Sequence, residues 1–548
     1  MKILIIGGVA SGTSAAAKAR RNSESAEIKI FDMDTDISYS GCGLPYYIGD
    51  EIKDRRQLVP RDAAFFKSKY NVDVYTKHEV LEIQPQEKAV TVKNLNTAEV
   101  FKEGFDKLVI ATGARPAVPK IEGIGKTNVF FLRNVLSADR IREFMAKSLP
   151  KSAVIIGSGF IGMEMAENLK ARGLDVTMVE MAQQVMPALD PDVAVYLKDY
   201  LEKKGVHLIL GDSAVKLEGN LSARGIILKS GKAVSTDMVI IASGVRPNVE
   251  LARNAGIEIG QTGAIKVNPR MQTNIEDIYA CGDCAEAYSP ITGKPVYRPL
   301  GSTANKMGRI AGDQITQGNL EFRGVLGTGI FKVFDMTVAQ TGLTEREAIK
   351  EGYNVAVCHN IKPDRPEYYH GKEMVIKAVA DRATGRVLGA QIIGEAGVDK
   401  RIDIFATAIT FGARAEDLFH LDLAYAPPFS TTKDPVMYTG MILDNAISRG
   451  RELITADELK KKIQSGESVN IIDARASDQY EQSHIDGAIS VPHDKIRTDL
   501  AALNKEILTV TYCNKGVTGN AAQNVLINNG FKKVCNLSGG HKNYMKNK

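Results

Sequence analysis

Two stretches of this 548-residue chain repeat one pattern: an apolar run, a glycine turn, a helix, and a second apolar run ending in a carboxylate. In the first, Lys2-Ile3-Leu4-Ile5-Ile6 runs into Gly7-Gly8-Val9-Ala10-Ser11-Gly12; an alanine-rich helix is expected over 13–21, and a strand over 28–31 ends in Asp32. In the second, a strand over 153–156 meets Gly157-Ser158-Gly159-Phe160-Ile161-Gly162, then a helix to Arg172 and a strand from Asp175 that ends at Glu180. A strand that turns into a helix and returns as a strand pairs in parallel, so each copy reads as a βαβ unit. Such a turn suits a dinucleotide. Glycines admit the pyrophosphate, the helix N-terminus stabilises its charge, and an acid about 20 residues on accepts from a ribose hydroxyl. The second copy carries all three glycines of that fingerprint; the first has Val9 in the middle place.

The length points to three or four domains. Lys and Arg total 70 against 65 Asp and Glu, and a net charge of +5 gives no reason to expect a nucleic-acid partner. No apolar run approaches the ~18 residues of a membrane span. The opening Met-Lys-Ile-Leu-Ile-Ile-Gly-Gly enters a glycine turn rather than a cleavage site, so a cytoplasmic protein is expected. Six cysteines exclude a disulfide scaffold, and the eight histidines show no metal-ligand spacing, so no metal is expected.

One cysteine stands out. Cys42 lies between Gly41 and Gly43 ahead of Leu44-Pro45-Tyr46-Tyr47, at a helix start where backbone N–H groups favour a thiolate. A free cysteine is more often a buried structural thiol, but two glycines and a proline do not suit a packed helix interior. Cys281 and Cys284 form a C-x-x-C that is read as non-redox, and Cys358 has no motif around it.

Two further segments, residues 108–114 and 273–283, each read as a strand running into a glycine turn, the second ending Cys281-Gly282-Asp283. With these in order, residues 1–445 resemble the flavin-dependent pyridine nucleotide–disulfide oxidoreductases. The resemblance implies FAD on the first fold, held by Gly7, Gly12, Asp32, Thr112, Gly113, Gly282 and Asp283, with Asp283 at the ribityl chain. It implies NADH on the second, held by Gly157, Gly159, Gly162 and Glu180. Ser38-Tyr39-Ser40-Gly41-Cys42-Gly43 is similar to the single-cysteine branch, which includes NADH oxidases, NADH peroxidases and coenzyme A-disulfide reductases. Gly41 stands where those reductases usually have Asn. Ala10 stands where the oxidases and peroxidases have a histidine, which favours the reductases.

Lys18 and Arg21 share a helix face, which by itself reads as a solvated surface. By resemblance, Ser14, Lys18, Arg21, Ser38, Lys69, Asn305 and Lys433 would line coenzyme A. Residues from about 324 to 445 would form the dimer, with Tyr425 and Tyr368 facing the partner's cysteine. A phenol there could donate to a leaving thiolate.

After the polar junction Ser448-Arg449-Gly450-Arg451, the last ~95 residues resemble a rhodanese domain. Cys513 sits where a strand turns through Asn514-Lys515-Gly516-Val517-Thr518 into a helix, so that loop N–H groups can face a sulfur anion. Thr518 replaces the arginine that usually ends this loop, and Lys515 is the available substitute. Asp473, Arg475 and His484 read as structural, and Cys535 as core.

The expected fold is therefore α/β. A FAD-binding domain spans 1–113 and 241–323, an NADH-binding domain 114–240, an α+β dimerisation domain 324–447 and a rhodanese domain 452–548. The expected protein is a homodimeric, NADH-linked flavoenzyme reducing coenzyme A disulfide, coenzyme A persulfide or polysulfide, with catalytic Cys42 and a sulfur-carrying Cys513. An NADH oxidase or peroxidase is the first alternative, and a non-catalytic flavoprotein redox sensor the second.

Overall fold

The structure, a computed structural model, describes residues 1–498 and 503–548. The chain divides into two compact units, Met1–Gln183 with Lys204–Gly327, and Gln184–Lys203 with Thr328–Lys548.

The first unit holds two parallel five-stranded sheets. One runs Ile278–Ala280, Lys107–Ile110, Lys2–Ile6, Glu27–Asp32, Asp73–Thr76. The other runs Val206–Leu210, Asp175–Glu180, Ser152–Ile156, Met238–Ile241, Val129–Phe131. Each central strand is an unbroken apolar run because both sheet faces are covered. The helix Ala10–Asn22 lies against Gly301–Gln314 at backbone contact. A Cβ on Gly308 would come within 2.2 Å of the Ser11 carbonyl oxygen, and one on Gly312 within 2.3 Å of that of Ala15. The strand expected over 273–281 is confined to Ile278–Ala280. The chain first reverses at Asp277, whose φ is +66° and whose carboxylate pairs with Lys88 and Lys107.

The second unit contains an antiparallel sheet in the order Gly329–Val333, Met336–Gly342, Val387–Gly394, Glu373–Asp381, Val355–Pro363. A separate parallel sheet runs Leu453–Ile454, Lys533–Leu537, Leu508–Tyr512, Val469–Asp473, Ala488–Ser490. The helix Pro191–Lys203, inside the span expected for NADH binding, packs in this unit against the strand Val387–Gly394. Among the described residues no helix is long and apolar enough to cross a membrane.

A buried cation organises the second unit. Lys377 is 1% exposed, and its ammonium lies 2.6 Å from Glu345, 2.8 Å from Asp192 and 3.2 Å from Asp190. Burial alone would push its pKa down; the carboxylates outweigh that and hold it above the ordinary value. Asp192 also accepts from His359 at 2.8 Å, and the other ring nitrogen of His359 lies 3.0 Å from Ser538 Oγ at the end of the parallel sheet. Despite its own burial, Asp192 is held well below the usual carboxylate range by His359 and Lys377. Lys377→Met leaves these carboxylates without their ammonium, at a cost of about 3–5 kcal/mol. The loss should be full at pH 7 and shrink as pH falls below the ordinary carboxylate value, because protonation then removes the charge Lys377 offsets. Calorimetry at pH 7 and in acid checks this; equal melting of variant and parent at pH 7 contradicts it.

Candidate active sites

The two glycine loops of the first unit have one geometry. The Gly7 N–H donates to Phe31 O at 2.8 Å, and that of Gly157 to Val179 O at 2.9 Å. Their φ values are +105° and +106°, which only glycine adopts without strain. A Cβ on Gly12 would lie 1.9 Å from Gly7 O, and one on Gly162 2.1 Å from Gly157 O, so the chain itself requires these glycines. The middle position differs. A Cβ on Gly159 would meet nothing within 4 Å among the described residues, and Val9, in the matching place, has an ordinary φ of −102°. That glycine is not demanded by packing; it leaves space at the helix start, as a dinucleotide needs, and its loss in the first copy does not disturb the turn.

Each loop is braced by its acid. Asp32 accepts from Gly8 N at 2.6 Å and Asp34 N at 2.8 Å; burial nevertheless raises its pKa to about 6. Glu180 accepts from the backbone N–H and hydroxyl of Ser158 at 2.9 and 2.7 Å, and from Ala182 N at 2.9 Å. This fixes a carboxylate beside the second loop. It can accept from a ribose 2′-hydroxyl and repels a 2′-phosphate. We expect kcat/KM for NADH to exceed that for NADPH at least tenfold, about 1.4 kcal/mol. Equal values in steady-state assays contradict this.

The other residues expected at the first nucleotide converge. Gly282 has φ +79°, and a Cβ there would meet Ser11 Oγ at 2.3 Å. The Asp283 carboxylate lies 3.3 Å from Arg133, whose guanidinium also reaches the face of Gly113, and Thr112 Oγ1 donates to Asn248 O at 2.8 Å. Cys281 and Cys284 are fully buried free thiols, pushed up by that burial.

Cys42 lies in the single turn Gly41–Gly43, followed by a five-residue helix, Leu44–Ile48. The side chain is exposed. Its thiol is pushed up, not down: partial desolvation acts first, then the Glu164 and Asp283 carboxylates. The expected low-pKa thiolate is thus not a product of the protein's own groups, since so short a helix has little dipole to offset two nearby anions. Glu164, on the helix Phe160–Ala171, was not singled out in the sequence. Burial raises its carboxyl to about 7, with Tyr46 donating to it at 3.4 Å. Glu164 should therefore be largely neutral at pH 6 and ionised at pH 8. Glu164→Gln should leave Cys42 alkylation by iodoacetamide unchanged at pH 6 and speed it about fivefold at pH 8, roughly 1 kcal/mol of lost repulsion. An unchanged rate at pH 8 contradicts the coupling.

Most residues expected at coenzyme A gather on the first unit. Ser14 Oγ donates to Asn305 Oδ1 at 2.7 Å. Arg21 and Lys69 both lie over the Tyr70 ring, at 5.7 and 6.0 Å. Ser38 adopts φ +50°, its N–H donating to Gly8 O at 2.8 Å. Lys18 is already committed, 3.0 Å from Asp313 and 2.9 Å from Asn22. Lys433 belongs to the second unit, on an exposed loop anchored by Arg401. That guanidinium, 1% exposed, donates to Asp434 at 2.8 Å, Ser430 Oγ at 3.1 Å and Asp364 O at 2.9 Å. Tyr425 opens the same loop and is 47% exposed; Tyr368 is 70% exposed and packs on Tyr369.

Cys513 directly follows the strand Leu508–Tyr512, and its Sγ accepts from Gly516 N at 3.2 Å, just before the helix Val517–Asn528. It opens on a cavity of about 400 Å³ that Thr518 also lines. Arg475, which also lines this cavity, is locked on Asp473 at 2.6 and 2.9 Å, and His484 stacks on Tyr480 at 4.0 Å. Lys515 is not a free substitute cation: Glu373 pairs with it and with Lys542. Cys535 lies in the strand Lys533–Leu537.

A family model described as pyridine nucleotide-disulphide oxidoreductase matches residues 1–308, its dimerisation domain 329–435, and a rhodanese-like domain 455–547. The chain belongs to the pyridine nucleotide-disulphide oxidoreductase family, FAD-dependent enzymes that use NAD(P)H, with a rhodanese-like domain appended. It is 40% identical over 445 residues to the NAD(P)H coenzyme A polysulfide/persulfide reductase of Pyrococcus horikoshii, covering 81% of this chain and 98% of that one. Two solved structures resemble it across its length. Reduced CoADR-RHD of Bacillus anthracis has a TM-score of 0.96 and 38% identity, covering 100% of this chain and 98% of that chain. An NAD-dependent persulfide reductase from A. fulgidus has 0.91 and 37%, covering 99% and 100%.

Proposed function

We propose that this protein is an NADH-linked flavoenzyme that reduces coenzyme A disulfide, coenzyme A persulfide or polysulfide at Cys42 and carries sulfane sulfur on Cys513. The observation that carries the reading is an exposed single cysteine, in a glycine-bracketed turn, in the same unit as two dinucleotide cradles. The names of the relatives and the rhodanese-like domain support the choice of sulfur substrates. Ala10 in the first loop supports a reductase over an oxidase or peroxidase, since it offers no imidazole to assist oxygen chemistry.

The Cys42 thiolate attacks one sulfur of a disulfide RS–SR; a Cys42–S–SR bond forms and RS⁻ leaves with the electron pair of the broken bond. With a persulfide RS–SH, attack on the inner sulfur releases HS⁻. FAD and NADH, when bound, would supply the two electrons needed to reopen the Cys42 mixed disulfide. Gly7, Gly12, Asp32, Thr112, Gly113, Gly282 and Asp283 would hold FAD, and Gly157, Gly159, Gly162 and Glu180 would hold NADH. Ser14, Arg21, Ser38, Lys69 and Asn305 form the surface for coenzyme A, with Lys18 oriented by Asp313. The protein acts as a homodimer through its dimerisation domain, where exposed Tyr368 and Tyr425 are free to meet a partner subunit.

Cys42→Ser should retain FAD and its bleaching by NADH while losing at least about 95% of coenzyme A disulfide reduction, because the nucleophile is gone. Cys513→Ser should keep that activity and lose sulfur uptake from a persulfide donor. Anaerobic NADH assays and sulfane-sulfur mass analysis read the two separately. Substantial turnover by Cys42→Ser, or equal loss of both reactions in Cys513→Ser, contradicts the assignment.

A further inference from the structure

The cavity at Cys513 is not built by the rhodanese-like domain alone. Its far wall is the end of the strand Val355–Pro363, which contributes Ile361, Lys362 and Pro363. The pocket's cations divide by what already holds them. Arg475 is paired with Asp473, and Lys515 is tied to Glu373, whose single charge it shares with Lys542. Thr518 brings no charge. Among the described residues Lys362 pairs with no carboxylate; its ammonium sits 4.0 Å over the Tyr438 ring. Its backbone is fixed by sheet pairing opposite Met374, so the charge is carried by a rigid element rather than a loop. Burial lowers the Lys362 pKa and the Lys515 and Lys433 ammoniums lower it further, whereas a Cys513 thiolate raises it. A cation so placed lacks an anion, and the vacant space before it adjoins the sulfur of Cys513.

We infer that Lys362 is the cation of the Cys513 site, so that the antiparallel sheet and the rhodanese-like domain form one pocket for an anionic sulfane-sulfur donor. This rests on Cys513 being the sulfur carrier. The donor is a thiol persulfide anion, R–S–S⁻. Cys513–SH and R–S–S⁻ give Cys513–S–S⁻ and R–SH: the donor S–S bond breaks, a bond forms between Sγ and the terminal sulfur, and the thiol proton passes to the departing thiolate. The step is sulfur transfer without net oxidation. Lys362 holds the donor's charge before transfer and faces the Cys513 persulfide anion after it, supplying the fixed charge that Thr518 cannot.

The test compares alkylation of Cys513 in the full-length protein by iodoacetate, an anion, and iodoacetamide, its neutral analogue, with the Cys513 peptide quantified by mass spectrometry. Lys362→Met should lower the iodoacetate-to-iodoacetamide rate ratio about tenfold, since a cation in a walled cleft concentrates anions. Lys362→Arg should keep the ratio within about twofold of the parent, which a merely structural role for Lys362 would not require. Lys362→Gln replaces Lys362→Met where the latter melts early. In parallel, unmodified protein is treated with glutathione persulfide, and Cys513 should gain one sulfur. A parent ratio retained in Lys362→Met or Lys362→Gln while Cys513 still gains sulfur overturns the Lys362 assignment alone. Failure of Cys513 to gain sulfur in the unmodified protein overturns the carrier reading and this inference with it.

Discussion

The second unit is organised around the Lys377 ammonium, buried among Asp190, Asp192 and Glu345. Removing the ammonium would leave three carboxylates crowded in a low-dielectric interior without the cation they share, so the segments that carry them are tied to one arrangement. Asp192 starts the helix Pro191–Lys203, Glu345 starts Glu345–Lys350, and Lys377 lies mid-strand in Glu373–Asp381. Through His359 the cluster reaches Ser538, and through Glu373 the same sheet grips Lys515 and Lys542 of the rhodanese-like domain. The cavity at Cys513 is a consequence: a sheet held against that domain by ion pairs supplies one of its walls.

The first unit rests on a different constraint, the close backbone approach that only glycine permits. Gly7 and Gly157 sit in left-handed conformations against the carbonyls of Ala111 and Ala242. Gly12 and Gly162 bring each helix onto its own turn. With both turns closed in the same way, the two helices start at matching places, and Asp32 and Glu180 brace the loops. Cys42 follows the first of these folds and takes its electrostatics from Glu164 and Asp283, carried by the second fold's helix and by the Gly-Asp turn.

What could be read from the sequence was whatever the backbone enforces locally. Gly7, Gly12, Gly157 and Gly162 are legible because their positions violate ordinary side-chain geometry, and Cys42 because glycines and a proline surround it. Cys513 is legible from a strand running into a glycine loop and helix. Glu164 was not, although it lies just past Gly162, because only tertiary burial beside Tyr46 changes its carboxyl. Lys362 reads as one more alternating strand residue; its meaning depends on a domain that begins some 90 residues later in the chain. Lys515 and Lys18 show the converse effect. Each looks like a free cation in sequence and is claimed by a distant carboxylate in the fold. The strand is shorter than the apolar pattern over 273–281 implies, because Asn274–Asp277 turns on a left-handed Asp277 that hydropathy does not mark.

The central claim is that Cys42 is the sulfur nucleophile and that coenzyme A thiol chemistry passes through it. The most direct measurement reduces the protein with one equivalent of NADH, adds coenzyme A disulfide without oxygen, quenches in acid, and analyses the Cys42 peptide by mass spectrometry. The Cys42 peptide should bear one coenzyme A moiety, with one free coenzyme A thiol released for each, and the adduct should disappear when further NADH is supplied. An unmodified Cys42 peptide under conditions where NADH is consumed and coenzyme A disulfide disappears would contradict it.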